Sequence, residues 1–321
     1  MILKGKNPRT LNQRGILEMP YKPKVCIVLV NWNQREDIIN CLESLFNLKY
    51  NNYQIVVFDN GSVDNSVEEI KKKYPSVEIF ENRINLGYVG ANNIAINWAI
   101  EEGYDYIFLV NSDTVIHPYT LNELVTYMDK DKKCGVAGPQ IRYYNAPDRL
   151  CFAGGKFNLR TGRGCHIGEG NLVGFIDSSP YACDFITGCA MLLRVSALKE
   201  IGLFDENIFM YCEDIDLCLR FKKSSWKVIL VPNGIVWHKI ERWDRRIIAS
   251  PHRIYYIGRN TLYLMKKNNI SNILIFLKAT RHILSSVRML MRYDSTRIVI
   301  FYLYGVIDFL RGKYGFMYSN V

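Results

Sequence analysis

Four apolar runs mark the first third of the chain, and each gives way abruptly to polar residues. KVCIVLV (24–30), QIVVFD (54–59), VEIFEN (77–82) and YIFLVN (106–111) are rich in Val, Ile, Leu and Phe. The first is continuously apolar and β-branched, as expected of a strand covered on both faces of a parallel sheet, the second reads as another buried strand, and the third and fourth complete a set of four. Between these runs the period changes. Ile38, Ile39, Leu42, Leu45 and Phe46 recur at helical spacing, residues 66–73 predict a short helix with Ser62 or Asp64 as its cap, and Ala91, Ile94, Ala95 and Trp98 form the predicted apolar stripe of a third helix. Strands and helices alternating with short connections over 24–130 predict a doubly wound α/β sheet. Ligands in such sheets bind where the strand C-termini meet their loops. Four polar strand ends therefore hold the candidate chemistry: Asn31-Trp32-Asn33, Asp59-Asn60, Asn85 to Asn93, and Asn111-Ser112-Asp113.

Further along, residues 142–183 are rich in Gly, Tyr and Asn and read as loops or a hairpin. FITGCAMLLR (185–194) reads as a strand, 213–223 as a short helix and WKVILVP (226–232) as the last strand. From 251 onward the pattern is helical. The organisation expected is an N-terminal extension (1–23), an α/β domain (24–250) and a basic amphipathic helical region (251–321).

Composition refines this. With 321 residues, 49% of them hydrophobic and 22% charged, the chain can bury a large core, which excludes disorder as its main state. Nine cysteines are scattered with no CxxC pair, arguing against a zinc knuckle and a disulfide framework and for a reducing cytoplasm. MILKGKNPRTLNQRG at the N-terminus has no apolar stretch of the kind a secretory signal carries. The net charge of +10 is not spread evenly. Residues 239–321 hold 15 Lys/Arg against 4 Asp/Glu, so a near-neutral body carries a strongly basic C-terminal quarter. That asymmetry points to an anionic partner.

In 278–292, Lys278, Arg281, Ser285, Arg288 and Arg292 fall at spacings of three and four, with Ile283, Leu284, Val287, Leu290 and Met291 expected on the other side. This is the pattern of a basic amphipathic helix lying on a membrane surface, and it serves equally for packing on the catalytic body or on a second subunit. IVIFYLYGVI (298–307) is too short to span a bilayer.

Three places could carry chemistry. An Asp leaving a buried strand, as Asp113 does in NSDT, can reach a divalent cation and through it a diphosphate; equally, it can cap the next helix. In MYCEDIDLCLRF (210–221), Glu213, Asp214 and Asp216 lie within four residues amid apolar side chains. Desolvation should raise a carboxylate pKa there, as a general base requires. His238 closes VPNGIVWH; alone it signifies little, but its nitrogen would complement Asp113 around a metal.

The ordered series VLVNWN (28–33), FDNGSVDNS (58–66), NLGYVGANN (85–93), NSDT (111–114), TGCAMLLRVSALKEIGLFDENIFMYCEDIDLCLR (187–220) and VPNGIVWH (231–238) resembles family 2 inverting glycosyltransferases of the GT-A fold, most nearly a bacterial rhamnosyltransferase-like branch that builds surface polysaccharides. The resemblance spans roughly 24–265. It implies a GT-A type doubly wound mixed sheet flanked by helices, with a C-terminal basic helical extension. Asp59 matches the residue that reads the nucleotide base, while Asn31 and Asn92 match positions lining the nucleotide pocket. Asp113 matches the last carboxylate of the DxD metal motif and His238 a histidine that joins it at Mg²⁺ or Mn²⁺. Asp214 matches the catalytic base, with Glu213 beside it. One departure is Asn111, a neutral donor at the first DxD position. The implied partners are a nucleotide-sugar donor (dTDP-rhamnose first, UDP-hexose next) and a glycan or lipid-linked acceptor. The expected location is the inner face of the cell membrane, held peripherally through 251–321.

Other readings are weaker. A sugar-nucleotide pyrophosphorylase would want a Gly-rich loop with a cation near the first strand, and VNWNQRED has none. A nucleic-acid-binding protein would leave the four polar strand ends unexplained, so no nucleic acid is expected as a partner. A non-catalytic scaffold binding a nucleotide-sugar is kept open by Asn111 and opposed by the intact Glu213-Asp214 pair.

Overall fold

The computed structural model describes residues 21–240, 250–293 and 296–317. A ten-stranded mixed sheet forms the centre. Its first half is built from β1 (Val25–Asn31), β2 (Tyr53–Asn60), β3 (Glu78–Asn82) and β4 (Tyr106–Asn111), separated by α1 (Arg35–Phe46), α2 (Ser66–Lys73) and α3 (Gly87–Glu101). β1 pairs in parallel with both β2 and β4, and β2 with β3. From β1 the chain therefore winds one way to β2 and β3 and later returns to β1's other edge with β4. That reversal is a topological switch point, and it opens a crevice at the C-terminal ends of β1 and β4. The four strands match the apolar runs closely because Val25 to Leu29 and Ile107 to Leu109 have no exposed surface. A strand covered on both faces must be apolar at every position.

β5 (Thr114–Ile116) and α4 (Thr120–Lys130) lead into the second half: β6 (Cys134–Tyr143), β7 (Ala146–Phe152), the hairpin β8 (Gly155–Asn158) and β9 (Arg163–His166), then β10 (Tyr181–Ala182), β11 (Ala190–Arg194), α5 (Val195–Ile201), α6 (Glu213–Lys223) and β12 (Lys227–His238). β11 runs antiparallel to β4 and β6, which makes the sheet mixed. The stretch read as loops or a hairpin thus holds four short strands.

β12 continues well past Pro232, where the apolar run suggested it would end. A register shift between Val231 and Ile235 absorbs the proline, and the strand resumes against β6 and, antiparallel, against β5. Proline is tolerated in a sheet at such a bulge because no ladder donor is needed there. The extension matters for the site, because it sets His238 opposite Thr114.

The C-terminal quarter is helical, as expected: α7 (Pro251–Lys267), α8 (Asn272–Tyr293) and α9 (Thr296–Leu310). It is no detached appendage. Leu264 of α7 belongs to the main core, while Leu262 and Met265 pack with Ile275 of α8 and Phe309 of α9. On α8 the polar and apolar faces differ from the amphipathic reading. Lys278 is turned toward the body, whereas Ile273, Phe276, Leu277 and Leu284 form an exposed apolar stripe, Phe276 being 70% and Leu284 58% exposed. The side chains of Val287, Leu290, Met291 and Arg292 lie outside the described residues. Ile94 of α3 is likewise exposed; Val89 and Ile96 are buried instead. No helix among the described residues is long and apolar enough to cross a membrane.

Candidate active site

At the ends of β1 and β2, polar side chains fasten two loops to each other. Asn31 is fully buried, and its Nδ2 lies 2.9 Å from Asp59 Oδ1, 3.0 Å from Ser62 Oγ and 2.7 Å from Ser66 Oγ. Asp59 Oδ2 accepts the Ser62 N–H. Asn33, with a left-handed φ of 53°, donates its N–H to Ser62 Oγ and accepts the Val63 N–H on Oδ1. Asp64, and not Ser62, supports the start of α2 by accepting the Ser66 N–H. The result is a rigid floor with Asp59 on one wall of a cavity of about 370 Å³, which Ser62, Val63, Asn65 and Arg83 also line. Such a volume is within the range of small-ligand sites. Asn31 sits behind Asp59 as its support. Asn92 is buried in α3 with its amide on the Tyr88 carbonyl, and it does not border this cavity.

Across the switch point, the turn after β4 brings Asp113 toward the end of β12. His238 Nε2 and Asp113 Oδ2 are 3.1 Å apart, although 125 residues separate them in sequence. Burial would raise the Asp113 carboxyl, but the contact with His238 outweighs it and holds the group below its ordinary range. Asp113 Oδ1 is buried and has no partner. A bare buried polar atom costs about 1–3 kcal/mol, so this oxygen is a natural seat for a cation. A hard divalent ion suits one carboxylate oxygen, one imidazole nitrogen and Asn111 at the end of β4. No group of three or more His, Cys, Asp or Glu among the described residues could hold a metal. Substrate diphosphate and water would have to complete the shell, as is usual for Mg²⁺.

The third part is the start of α6. Glu213 is 8% exposed, and its Oε2 is buried without a partner. Asp214 is half-buried; its Oδ2 accepts the Gly188 N–H at 3.2 Å and its Oδ1 the Ile215 N–H at 2.8 Å. Burial raises both carboxyls, and the charge of Asp214 pushes Glu213 further, well above its usual range. The two N–H donors and nearby His166 oppose the rise at Asp214. Both carboxyls are thus pushed up, Glu213 the further, and Asp214 is the more readily ionised of the pair. Asp216 is occupied elsewhere, paired with Arg220 and Lys267.

The loop that delivers this pair is strained. Tyr211 and Cys212 both have positive φ, 63° and 72°, which costs about 1–2 kcal/mol per non-glycine residue. Asn260 of α7, wholly buried, donates from Nδ2 to the carbonyls of both Met210 and Tyr211 at 2.9 Å. Next to it, Arg259 is fully buried, stacks on Tyr255 and Tyr256 and donates to the Gly315 carbonyl. On the loop's other side Phe209 packs so tightly on Gly87 that a Cβ there would lie 2.5 Å from the ring. In the sequence Asn260 is one neutral residue of the basic helical stretch 251–321. Nothing in periodicity marks a residue whose task is to hold a backbone 50 positions away.

The mixed α/β sheet, with its polar strand ends at the switch point, has the architecture of the GT-A fold. The Glycosyl transferase family 2 profile matches residues 26–202, and the chain belongs to that family. It is 27% identical over 260 residues to the N-acetylglucosaminyl-diphospho-decaprenol L-rhamnosyltransferase of Mycobacterium tuberculosis, covering 72% of this chain and 82% of that protein. With the dTDP-rhamnosyl transferase RfbF of Shigella flexneri it shares 26% identity over 258 residues, 76% of this chain and 80% of the other. It shares its fold with the mannosyltransferase PcManGT from Pyrobaculum calidifontis, solved with GDP-Man and Mn²⁺, at a TM-score of 0.55 and 13% identity over 92% of this chain and 89% of that one. The protein is thus a glycosyltransferase.

Proposed function

We propose that this glycosyltransferase moves a deoxyhexose, rhamnose before other sugars, from a dTDP-linked donor to a hydroxyl of a lipid-linked glycan in surface polysaccharide synthesis, with inversion at the anomeric carbon. The observation that carries the reading is the buried Glu213-Asp214 pair, in which Asp214 is held by the Gly188 and Ile215 N–H groups and burial raises both carboxyls, Glu213 the further. The relatives supply the sugar class, since their names specify rhamnosyl transfer and, for one of them, a sugar-diphospho-lipid acceptor.

In this reading Asp59 holds the nucleotide base, with Asn31 and the Ser62–Ser66 loop fixing its carboxylate. Asp113 and His238, with Asn111 beside them, hold Mg²⁺ or Mn²⁺. When bound, that ion neutralises charge on the departing diphosphate. Asp214 takes the proton from the acceptor hydroxyl as its oxygen attacks the sugar C1 from the face opposite the leaving diphosphate. One displacement inverts the centre, and the backbone N–H groups of Gly188 and Ile215 keep the Asp214 carboxylate aimed. The exposed apolar stripe and flanking arginines of α8 suit peripheral attachment to an anionic membrane, where a lipid-linked acceptor lies.

The test is release of nucleoside diphosphate from a panel of dTDP- and UDP-sugars with Mn²⁺ or EDTA. Turnover confined to dTDP-rhamnose in Mn²⁺ supports the proposal, and a different preferred donor removes the rhamnosyl assignment.

Asn260 acts here as a positioning residue. Asn260→Asp keeps the size but loses the amide donor to the two loop carbonyls. Its kcat should fall on the order of 10²-fold, since misplacement by about 1 Å has that effect, while the donor KM stays near wild type. A donor KM that rises in step with the fall in kcat would assign Asn260 to general stability instead.

A further inference from the structure

The wall beside Asp214 carries a group of cations that the transfer mechanism leaves unused. Lys278 of α8 is turned inward and donates from Nζ to the Gly162 carbonyl at 2.7 Å, at the turn of the β8–β9 hairpin. That turn is wedged against α7 and α8: a Cβ on Gly162 would lie 2.7 Å from Thr261, 2.9 Å from Met265 and 3.1 Å from Lys278. Arg163, the first residue of β9, and Arg281, one helical turn beyond Lys278, are both exposed and raise the positive potential at Lys278. Burial first, then these two arginines, push the lysine down to about 8, and the one group opposing them is the thiol of Cys212. Among the described residues no carboxylate acts on it, and none pairs with Arg163 or Arg281. Two arginines beside a sunken lysine, with no acidic partner among the described residues, repel it and each other, so the arrangement gains stability from an incoming anion.

Its place relative to the base defines the anion. β9 runs from Arg163 to His166, and His166 bears electrostatically on Asp214 while a Cβ on Gly164 would lie 3.9 Å from Ile215. The cations at the hairpin turn and the approach to the base therefore lie on one short strand. The apolar stripe of Ile273, Phe276, Leu277 and Leu284 lies on the same helix as Lys278 and Arg281, to either side of them in sequence. Asp214, the cations and the stripe thus offer partners to the sugar, the diphosphate and the hydrocarbon chain of one molecule.

We infer that Lys278, Arg163 and Arg281 seat the diphosphate of a sugar-diphospho-lipid acceptor, holding its sugar so that one hydroxyl meets Asp214. This rests on the glycosyl-transfer reading given above. The same cations could meet phosphates of two sources, the acceptor itself or an anionic membrane lipid, and the experiment separates them.

Transfer is measured in neutral detergent, without anionic lipid, to two acceptors: GlcNAc-diphosphoryl-decyl lipid and decyl GlcNAc glycoside, which lacks phosphate. Wild type, Arg163→Gln/Arg281→Gln and Lys278→Met are compared, the double variant altering exposed side chains alone. Wild type should use the diphosphoryl lipid with a KM at least tenfold below that of the neutral glycoside. Both variants should raise the diphosphoryl KM about tenfold or more and leave the donor KM within twofold. Equal KM values for the two acceptors in wild type, or variants with an unmoved diphosphoryl KM, would overturn the inference. So would variants that lose co-sedimentation with phosphatidylglycerol vesicles yet keep the micellar KM, because the cations would then serve the membrane. Nucleoside diphosphate release, read in the same assay, reports separately on glycosyl transfer itself.

Discussion

Asp214→Asn is expected to lower kcat on the order of 10²–10⁴-fold, the range that loss of a general base produces, with the protein folded and donor binding intact. The substitution keeps the shape and can still meet one of the two N–H donors from Gly188 and Ile215, so the loss should lie in chemistry. Glu213→Gln should behave differently. Burial and the neighbouring charge keep Glu213 protonated, and glutamine is a neutral near-isostere of that form, so the cost should stay below about tenfold. The pH dependence follows with a definite sign. A base must be deprotonated to act, so kcat/KM falls as pH drops through the pKa of Asp214. Burial raises that pKa, so the acid limb should lie above the ordinary aspartate value near 4. In Glu213→Gln it should stay where it is, because the residue replaced was already neutral. An acid limb that shifts or vanishes in Glu213→Gln would assign the base to Glu213.

Asp113→Asn should be nearly as severe, lowering kcat on the order of 10²–10³-fold, the range seen when one preorganised electrostatic contact to a developing charge is removed. Asp113 contributes the one carboxylate of the switch-point pair, and its Oδ1 is the buried oxygen without a partner. With Asn at 111 already neutral, Asp113→Asn would leave His238 and two amides, a poor set for a hard cation. Mn²⁺ binding followed by electron paramagnetic resonance, with nucleotide present, should weaken in parallel. Asparagine keeps an amide oxygen but loses the charge that faces His238, so the variant should be somewhat less stable than wild type, and its fold is checked by circular dichroism at the assay temperature. Unchanged Mn²⁺ affinity in Asp113→Asn would place the ion elsewhere.

How much of this could be read from the chain depends on how far apart the interacting residues are. β1, β2 and β4 were legible because burial on both faces leaves an uninterrupted apolar run, and α6 was legible to the residue. The polar strand ends followed from the architecture alone. The roles of Asp59, Asp113, His238 and Asp214 came from motif order, as the resemblance implied them. Pairings across the sheet were not legible. His238 reaches Asp113 only because β12 passes Pro232 through a bulge and pairs antiparallel with β5, a register that no local period encodes. The orientation of α8 escaped for a similar reason: spacing places Lys278 and Leu284 on different faces without saying which one meets the body. Asn260 and the left-handed Tyr211 and Cys212 are a tertiary arrangement, visible only when α7 lies against the loop.

The most direct test of the central claim is release of dTDP from dTDP-rhamnose with Mn²⁺ and a GlcNAc-diphosphoryl lipid, measured side by side for wild type and Asp214→Asn. The account predicts turnover by wild type, a product whose anomeric configuration is opposite to the donor's, and a loss of at least about a hundredfold in the variant. Turnover by Asp214→Asn at the wild-type rate, or retention of the donor's configuration, would contradict it.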